Sequence, residues 1–340
     1  MKAAYLLGGE IHAGELPDPT PGLGQVLVRT HACGMCASDL HLQLHGRRLV
    51  QWSNDYDGPF KIDLEKPLVM GHEFVGEIVD FGPATRRALA KGARVTSPPS
   101  GVHPQGPRIV GLSSDCPGGF GEFMLLAEQT LLPIADHVET DHAAMSEPMG
   151  VGLGYVRNAR LTEDDTPLVV GCGAIGLSVV MALKRTQARP IVASDYSAAR
   201  RELAAAAGAD IVVDPDQRSP YLAQGSRTPN VIFECVGVPG VLDQIVRNCA
   251  TGARIVVPGW CLEPDHLLTV CAHTKALNIQ FGGAPNHDDF RRALEGISDG
   301  SLDPTPWLGG RVGLSGVGEA LAQVGDPANP IRRVVDPRLG

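Results

Sequence analysis

Hydrophobic and polar residues alternate in several short segments of the first part of the chain. The segments from Lys2 to Leu7 and from Gln25 to Thr30 follow this alternation, and a loop with Pro17, Pro19 and Pro21 separates them. Residues 74 to 79 repeat the pattern just after Gly-His-Glu. Alternation with a period of two is typical of strands that bury one face. The sequence therefore predicts a β-rich first domain.

The middle of the chain carries short apolar runs separated by segments with helical spacing. The clearest helical patterns run from Leu177 to Thr186 and from Ser197, as the capping residue, to Gly208. Strands that alternate with helices predict crossover connections and a doubly wound parallel sheet. Six runs are predicted to be its strands: Thr166–Val170, Pro190–Ser194, Ile211–Val213, Val231–Phe233, Arg254–Val257 and Leu277–Phe281. Closer to the end, an amphipathic helix is predicted at Asp288 to Ile297 and a strand at Arg332 to Val335.

The stretch between His41 and Pro67 shows no clear period. It contains Trp52, Tyr56 and Phe60 among polar residues, which favours an ordered loop over a flexible linker. Two interpretations stay open for this loop. It either covers a substrate site or contacts a sister subunit at the surface.

Composition narrows the range of functions. The 340 residues are 43% hydrophobic and 20% charged, with a net charge of −9 and no basic run longer than two residues. This balance argues against nucleic acid and acidic membranes as partners. No apolar stretch approaches 18 residues, no cleavable leader is recognised, and the eight cysteines are scattered rather than clustered. We therefore expect a cytoplasmic protein with reduced thiols and a small substrate that is not polyanionic.

Two polar clusters offer candidate metal ligands. Cys36 is followed closely by Ser38, Asp39 and His41, and His72 lies between Gly71 and Glu73. Thiolate and imidazole are common zinc ligands. A single histidine beside a glycine is more often structural, so the prediction depends on both clusters together.

A glycine-rich turn follows the first strand of the doubly wound sheet. Gly171, Gly173 and Gly176 form a G-x-G-x-x-G pattern between a strand and a helix, where backbone N–H groups bind a pyrophosphate. Asp195 ends the next predicted strand, 19 residues after Gly176. A carboxylate there accepts hydrogen bonds from the adenosine ribose and repels a 2′-phosphate, which favours NAD over NADP.

These motifs together resemble the zinc-dependent alcohol dehydrogenases of the medium-chain dehydrogenase/reductase superfamily. The family patterns G-[IVM]-C-x-[ST]-D-x-H and G-H-E-x-x-G-x-[IV]-x-x-x-G are met by Gly34 to His41 and by Gly71 to Gly82. The resemblance extends from Met1 to about Pro337. It implies an α/β protein with a GroES-like catalytic domain at 1–149 and 285–340 and a Rossmann coenzyme domain at 150–284.

The resemblance also implies roles for particular residues. Cys36, His72 and Glu147 would hold the zinc, with Glu147 bound directly or through water. Glu147 precedes Pro148, as in the polyol-dehydrogenase-like members, although a carboxylate at a helix start could simply favour the helix dipole. Glu73 lies behind the metal and Asp39 orients the ligand imidazole, while Ser38 and His41 relay the proton. Cys33 is expected to be a packing residue. The residues implied in coenzyme binding are Gly171, Gly173, Ala174, Ile175, Gly176, Asp195, Arg200, Val236 and Arg332.

A second, structural zinc is not expected. Family members often carry four closely spaced cysteines in a lobe that corresponds to Ser97–Phe120, and this segment offers only Cys116. A closed tetrahedral site requires four ligands. The following Gly118-to-Phe123 segment resembles the family's G-G-[FY]-A-E-[FY] strand entry, which keeps the two sequences in register.

The expected function is zinc-dependent hydride transfer between NAD and an alcohol of the secondary-alcohol or polyol class, which gives a ketone or aldehyde. Two alternatives stay open: a zinc-free quinone or enoyl reductase of the same superfamily, and a non-catalytic NAD(H)-binding protein. A homo-dimer or homo-tetramer is expected.

Overall fold

The structure of the protein is a computed structural model that describes residues 1–103, 106–222, 227–283, 285–329 and 331–339. The chain divides into two compact units, Met1–Glu147 with Leu294–Gly340, and Pro148–Ala293. The boundary expected at Ala284 lies outside the described residues, and the three expected segments, 1–149, 150–284 and 285–340, stay predictions.

The strands of the described part are β1 Lys2–Leu7, β2 Glu10–Glu15, β3 Gln25–Gly34, β4 Glu73–Phe81, β5 Arg94–Thr96, β6 Ser100–His103, β7 Gly106–Ile109, β8 Phe123–Ala127, β9 Leu132–Pro133, β10 Pro167–Val170, β11 Val192–Ser194, β12 Ile211–Val213, β13 Val231–Glu234, β14 Arg254–Val257, β15 Asn278–Phe281, β16 Leu308–Val312 and β17 Arg332–Val335. The α-helices are α1 Ala37–Asp55, α2 Thr140–Ala144, α3 Ser146–Asn158, α4 Ala174–Lys184, α5 Ala198–Ala207, α6 Val241–Asn248, α7 Thr269–Thr274, α8 His287–Ser298 and α9 Val317–Ala322.

The first unit is built on a mainly antiparallel sheet. Its strands follow the order β16-β17-β3-β4-β5-β9, and β8 also pairs with β3. Strand β3 is central because it hydrogen-bonds to β4, β8 and β17. Gly34, at the end of β3, lies opposite Glu73 of β4 and opposite Val334 of β17. This register brings the start of β4 and the start of β17 to the residues that follow β3.

The second unit contains a six-stranded parallel sheet in the order β12-β11-β10-β13-β14-β15. Val170, the last residue of β10, lies opposite Ser194 of β11 and Glu234 of β13. The carboxyl ends of these three strands therefore meet at one edge. The order reverses at β10, which is where doubly wound sheets bind ligands. The predicted α/β fold with a doubly wound sheet is confirmed.

The predicted start and end of helix α5 are confirmed. Ser197 caps α5 by accepting a hydrogen bond from the backbone N–H of Arg200, and Gly208 ends the helix with φ of 116°. The left-handed backbone conformation is favourable at this position because glycine has no Cβ to clash.

All eight cysteines lie in the described part and are free, as predicted.

The prediction of a loop between His41 and Pro67 is wrong over its first half. Helix α1 runs from Ala37 to Asp55, with non-helical dihedrals at His45 that mark a kink. The buried positions after the first turn are Leu42, Gly46, Leu49 and Ser53, whose spacing of four, three and four residues is helical. Two of these four side chains are not hydrophobic, so the helical period was hidden. Strand β2 was also missed, because most of its residues are exposed.

None of the helices within the described residues combines the length and the apolar character that crossing a bilayer requires.

Candidate functional site

The polar side chains predicted near the end of β3 converge in the first unit. Cys36 caps the start of α1, His72 immediately precedes β4, and Glu73 begins β4. Their potential ligand atoms all lie within 4.8 Å of one another. His72 and Glu73 are buried and Cys36 is half-buried. The structure therefore assembles a thiol, an imidazole and a carboxylate at one point.

Gly71 makes this turn possible. Its φ is 95°, and a Cβ at this position would lie 2.6 Å from a ring carbon of Phe120 and 2.8 Å from Cys33 Sγ. A side chain at residue 71 would thus be strained and crowded. Cys33 fills the space beneath the turn, as its predicted packing role requires, and it is not part of the ligand group found among the described residues.

Asp39 connects two members of the group. Its Oδ2 accepts a hydrogen bond of 3.0 Å from the backbone N–H of Cys36, and its Oδ1 lies 3.4 Å from His72 Nδ1. Burial lowers the pKa of His72, but Asp39 and Cys36 outweigh burial and hold that pKa well above its ordinary value. Nε2, on the other side of the ring, lies 3.2 Å from Ser38 Oγ. Asp39 is therefore placed to orient the imidazole of His72.

A buried ion pair joins β17 to the group. Arg332 Nη2 donates a hydrogen bond of 2.9 Å to Glu73 Oε1 and lies 3.7 Å from Cys36 Sγ. Arg332 and Glu73 are both buried. The resemblance implied a coenzyme-binding role for Arg332, and that role stays a prediction. Its contact with Glu73 was not foreseen, although an arginine in an apolar strand signals a buried partner.

The other oxygen of Glu73 is unsatisfied. Oε2 is buried and has no hydrogen-bond partner within the described part of the chain. A Cβ on Gly34 would collide with it, so glycine at position 34 leaves room for the carboxylate. A buried carboxylate oxygen without a donor, beside a thiol and an imidazole, fits a cation with soft and nitrogen ligands. Zn²⁺ suits this donor set.

Glu147 lies in the first turn of α3, outside the group defined by Cys36, His72 and Glu73. Burial raises the pKa of Glu147 to about 7, and Glu73 adds to this effect while His72 and Arg332 oppose it. Glu147 is therefore an electrostatic neighbour of the group. Its predicted role as third ligand stays a prediction.

His41 lies three residues after Ser38 on α1, so both face the same side of the helix. Its Nδ1 is buried and has no hydrogen-bond partner among the described residues, and its ring centre lies 6.1 Å from that of His45. Burial lowers the pKa of His41, and His45 lowers it further. A neutral imidazole with a spare nitrogen can accept and pass on a proton.

The lobe predicted to lack a structural zinc is held by an ion pair. Arg108 Nε donates hydrogen bonds of 2.9 Å to both carboxylate oxygens of Asp115, and Arg108 is buried. Cys116 is also buried, and burial raises the pKa of its thiol to about 12. The absence of a second zinc stays a prediction.

In the second unit, the glycine-rich turn has the geometry of a phosphate-binding loop. Gly171 has φ of 90°, Gly173 caps α4, and Ala174 and Ile175 form its first turn. A Cβ on Gly176 would collide with the carbonyl oxygen of Gly171. Glycine is thus required where the helix packs against the turn.

Asp195 contacts the same turn. Its Oδ2 accepts a hydrogen bond of 2.8 Å from the backbone N–H of Cys172, and its Oδ1 accepts one of 2.8 Å from that of Ser197. A cavity of about 630 Å³ opens beside it. Gly171, Asp195, Arg200 and Val236 line this cavity, so these four predicted coenzyme residues do come together.

Comparisons with known proteins agree with the ligand group of the first unit and with the glycine-rich turn of the second unit. The chain matches the family models described as alcohol dehydrogenase GroES-like domain over residues 22–136 and zinc-binding dehydrogenase over residues 174–299. It is 33% identical to (R,R)-butanediol dehydrogenase of Bacillus subtilis, with 74% of this chain and 75% of the relative covered. It is 30% identical to sorbitol dehydrogenase of Bos taurus, with coverages of 80% and 78%.

Among solved structures, 2R,3R-butanediol dehydrogenase from Bacillus subtilis is similar over 99% of each chain, with a TM-score of 0.83 and 26% identity. The matched family models and relatives span both units. They agree with the family that the sequence motifs predicted. The chain belongs to the zinc-dependent alcohol dehydrogenase family of the medium-chain dehydrogenase/reductase superfamily.

Proposed function

We propose that this protein is an NAD-dependent dehydrogenase that oxidises an alcohol of the secondary-alcohol or polyol class to the ketone or aldehyde. The observation that carries the proposal is the convergence of Cys36, His72 and Glu73 within 4.8 Å, together with a glycine-rich turn and Asp195 in the second unit. The butanediol and sorbitol dehydrogenases among its relatives support this substrate class.

Cys36, His72 and Glu147 would hold the zinc. Glu73 is the competing third ligand through its unpaired Oε2, while its Oε1 is paired with Arg332. We assign the third position to Glu147, because Glu147 precedes Pro148 as in the polyol-dehydrogenase-like members that the sequence resembles, and a supporting position to Glu73. When bound, zinc supplies a Lewis acid that favours the alkoxide form of the alcohol. Three ligands leave one position for substrate, which is the arrangement of catalytic zinc sites.

The protein's own groups must remove the alcohol's proton. Ser38 Oγ lies at the imidazole of His72 and is placed to accept it. His41 follows on the same face of α1, and its buried, unpartnered Nδ1 can take up the proton while the other ring nitrogen releases one to solvent. Asp39 holds the ring of His72 in place throughout, because it contacts both Cys36 and His72.

The coenzyme is proposed to be NAD. Backbone N–H groups at the start of α4 would bind the pyrophosphate, and Asp195 would accept hydrogen bonds from the adenosine ribose. We also propose a homo-dimer or homo-tetramer. Strand β15 is an edge of the parallel sheet in the described part of the chain, and it leaves 67% of Phe281 exposed. An unpaired edge with an exposed aromatic residue is suited to pair with another copy.

The direct test is turnover of a panel of secondary alcohols and polyols with NAD, followed by NADH absorbance. The proposal expects at least one rapid substrate. Absence of turnover across the panel, in protein that binds NADH, would favour the non-catalytic alternative. Turnover of quinones or enoyl compounds by zinc-free protein would favour the reductase alternative.

A further inference from the structure

A buried carboxylate ends the strand next to the glycine-rich turn. Glu234 is the last residue of β13, lies opposite Val170 of β10, and is only 3% exposed. It belongs to neither the G-x-G-x-x-G pattern nor the ligand group. A buried glutamate needs hydrogen-bond donors, because burial of a charge is otherwise costly. Burial raises its pKa, and the N–H donors of Gly237 and Val236 oppose that rise.

Both donors belong to the loop that follows β13. Glu234 Oε1 accepts hydrogen bonds of 2.7 Å from the backbone N–H of Val236 and 2.9 Å from that of Gly237. A carboxylate that accepts two consecutive N–H groups fixes the conformation of the loop tightly, because charge-assisted bonds are stronger than neutral ones.

The same side chain also lies against the loop that follows β14. The backbone N–H of Gly259 donates a 2.8 Å hydrogen bond to the carbonyl of Glu234, and a Cβ on Gly259 would collide with Glu234 Oε2. A Cβ on Gly237 would lie 2.5 Å from the backbone nitrogen of Trp260. The two loops therefore approach each other closely, and the carboxylate of Glu234 lies between them.

The loop held by Glu234 contacts the proposed coenzyme site. A Cβ on Gly171 would lie 2.7 Å from Val236 Cγ2, so the valine packs directly on the first glycine of the turn. Val236 lines the same cavity as Gly171 and Asp195, and 42% of the residue is exposed to solvent. An exposed valine at this place is available to contact a ligand.

We propose that Glu234 is a positioning residue for coenzyme binding: its carboxylate holds the backbone of Val236 and Gly237 so that Val236 forms a preformed wall of the coenzyme cavity beside Gly171. Glu234 does not touch the coenzyme itself. This inference rests on the proposed use of NAD and adds a residue on which coenzyme affinity depends. If Glu234 only stabilised the fold, its loss would lower Tm without changing the Kd of NADH, so both quantities must be measured.

The experiment compares three variants with the wild-type protein. Glu234→Ala removes the acceptor, and Glu234→Gln keeps an oxygen that can accept both N–H groups. Asp210→Ala is the matched control. Asp210 Oδ2 accepts a 2.6 Å hydrogen bond from the backbone N–H of Ile191. Both residues lie at the amino ends of strands in the same sheet, whereas Glu234 lies at the carboxyl end of its strand. Each variant is measured for Tm, for Kd of NADH by fluorescence, and for kcat and KM with NAD.

Glu234→Ala should raise the Kd of NADH by about tenfold, because two backbone N–H groups lose their acceptor and the loop loses its fixed conformation. KM for NAD should rise with it while kcat changes by less than about threefold, since the missing interaction is made equally before and during the reaction. Glu234→Gln should stay within about threefold of the wild-type Kd, because its amide oxygen still accepts. Asp210→Ala should lower Tm at most and leave the Kd unchanged.

A folded Glu234→Ala protein with the wild-type Kd would overturn the inference, and so would a Glu234→Gln protein as weak as Glu234→Ala. If Glu234→Ala does not fold, Glu234→Met replaces it. The methionine side chain has a similar length but offers the two N–H groups no carboxylate oxygen, so it should raise the Kd at least about threefold, and a wild-type Kd would overturn the inference. Wild-type protein that binds neither NADH nor NADPH would instead refute the proposed function itself, and this inference with it.

Discussion

Replacing Asp195 should change which coenzyme the enzyme prefers. The carboxylate is proposed to accept hydrogen bonds from the adenosine ribose, and charge-assisted bonds of this kind contribute about 1.5–3 kcal/mol. Asp195→Ala should therefore weaken NAD binding by about tenfold to about a hundredfold. NADP should be affected less, because the change also removes a negative charge that repels the 2′-phosphate.

The change has a structural cost that must be separated from this effect. Asp195 also accepts the backbone N–H groups of Cys172 and Ser197, and losing each bond should cost about 0.5–1.5 kcal/mol of folding stability. Asp195→Asn keeps one acceptor oxygen and should be the more stable of the two variants. Thermal unfolding should show both variants folded at the assay temperature.

The assay is the ratio of kcat/KM with NAD to kcat/KM with NADP, measured on one alcohol. The ratio should fall by at least about tenfold in Asp195→Ala, because the affinity for NAD falls while the repulsion of NADP is relieved. Asp216→Ala is the control, since Asp216 is an exposed carboxylate that lines the same cavity, and its ratio should be unchanged. An unchanged ratio in folded Asp195→Ala would refute the assignment of Asp195.

Three further predictions concern stability and the proton relay. Burial alone would raise the pKa of Asp336, but hydrogen bonds from Arg338 and the nearby Arg311 lower it to about 2. This carboxylate should therefore contribute about 2 kcal/mol of stability that is present above about pH 4 and lost as the pH falls to about 2. Urea unfolding should show the free energy of unfolding decreasing over this pH range, and Asp336→Asn should reduce that decrease. Asp115→Ala leaves the buried Arg108 without its bidentate partner and should lower the free energy of unfolding by about 1–3 kcal/mol, with faster proteolysis of the segment from β6 to Cys116 as the local readout. His41→Ala should keep its zinc but slow alcohol oxidation mainly at low pH, where solvent accepts the proton poorly without a relay; a pH-independent decrease in kcat would contradict the relay.

The parallel sheet could be predicted because its strands are short apolar runs bounded by glycine and polar residues. The predicted run from Thr166 to Val170 became β10 with a difference of one residue. Helix α1 could not be predicted in the same way. Its buried face includes Gly46 and Ser53, which pack because they are small rather than because they are hydrophobic, so a pattern based on hydrophobicity does not detect them.

The residues of the candidate site also fall into those that local sequence patterns predict and those that they do not. Cys36, His72, Asp39 and Ser38 could be predicted because their motifs are local in sequence, and the fold brings the two motifs together across β3 and β4. The ion pair between Glu73 and Arg332 joins residues 259 positions apart. It depends on β17 lying next to β3, which no local pattern specifies. Glu234 escaped prediction because its partners are backbone N–H groups, which leave no mark on the sequence.

Cys36, and not the neighbouring Cys33, is proposed to hold a single zinc together with His72. The most direct test is zinc content per chain, measured by elemental mass spectrometry on wild-type protein, Cys36→Ala and Cys33→Ala. About one zinc per chain is expected in wild-type protein and in Cys33→Ala, and almost none in Cys36→Ala, because losing a thiolate ligand opens the site. Zinc retained by Cys36→Ala, or wild-type protein that holds either no zinc or two per chain, would refute this assignment.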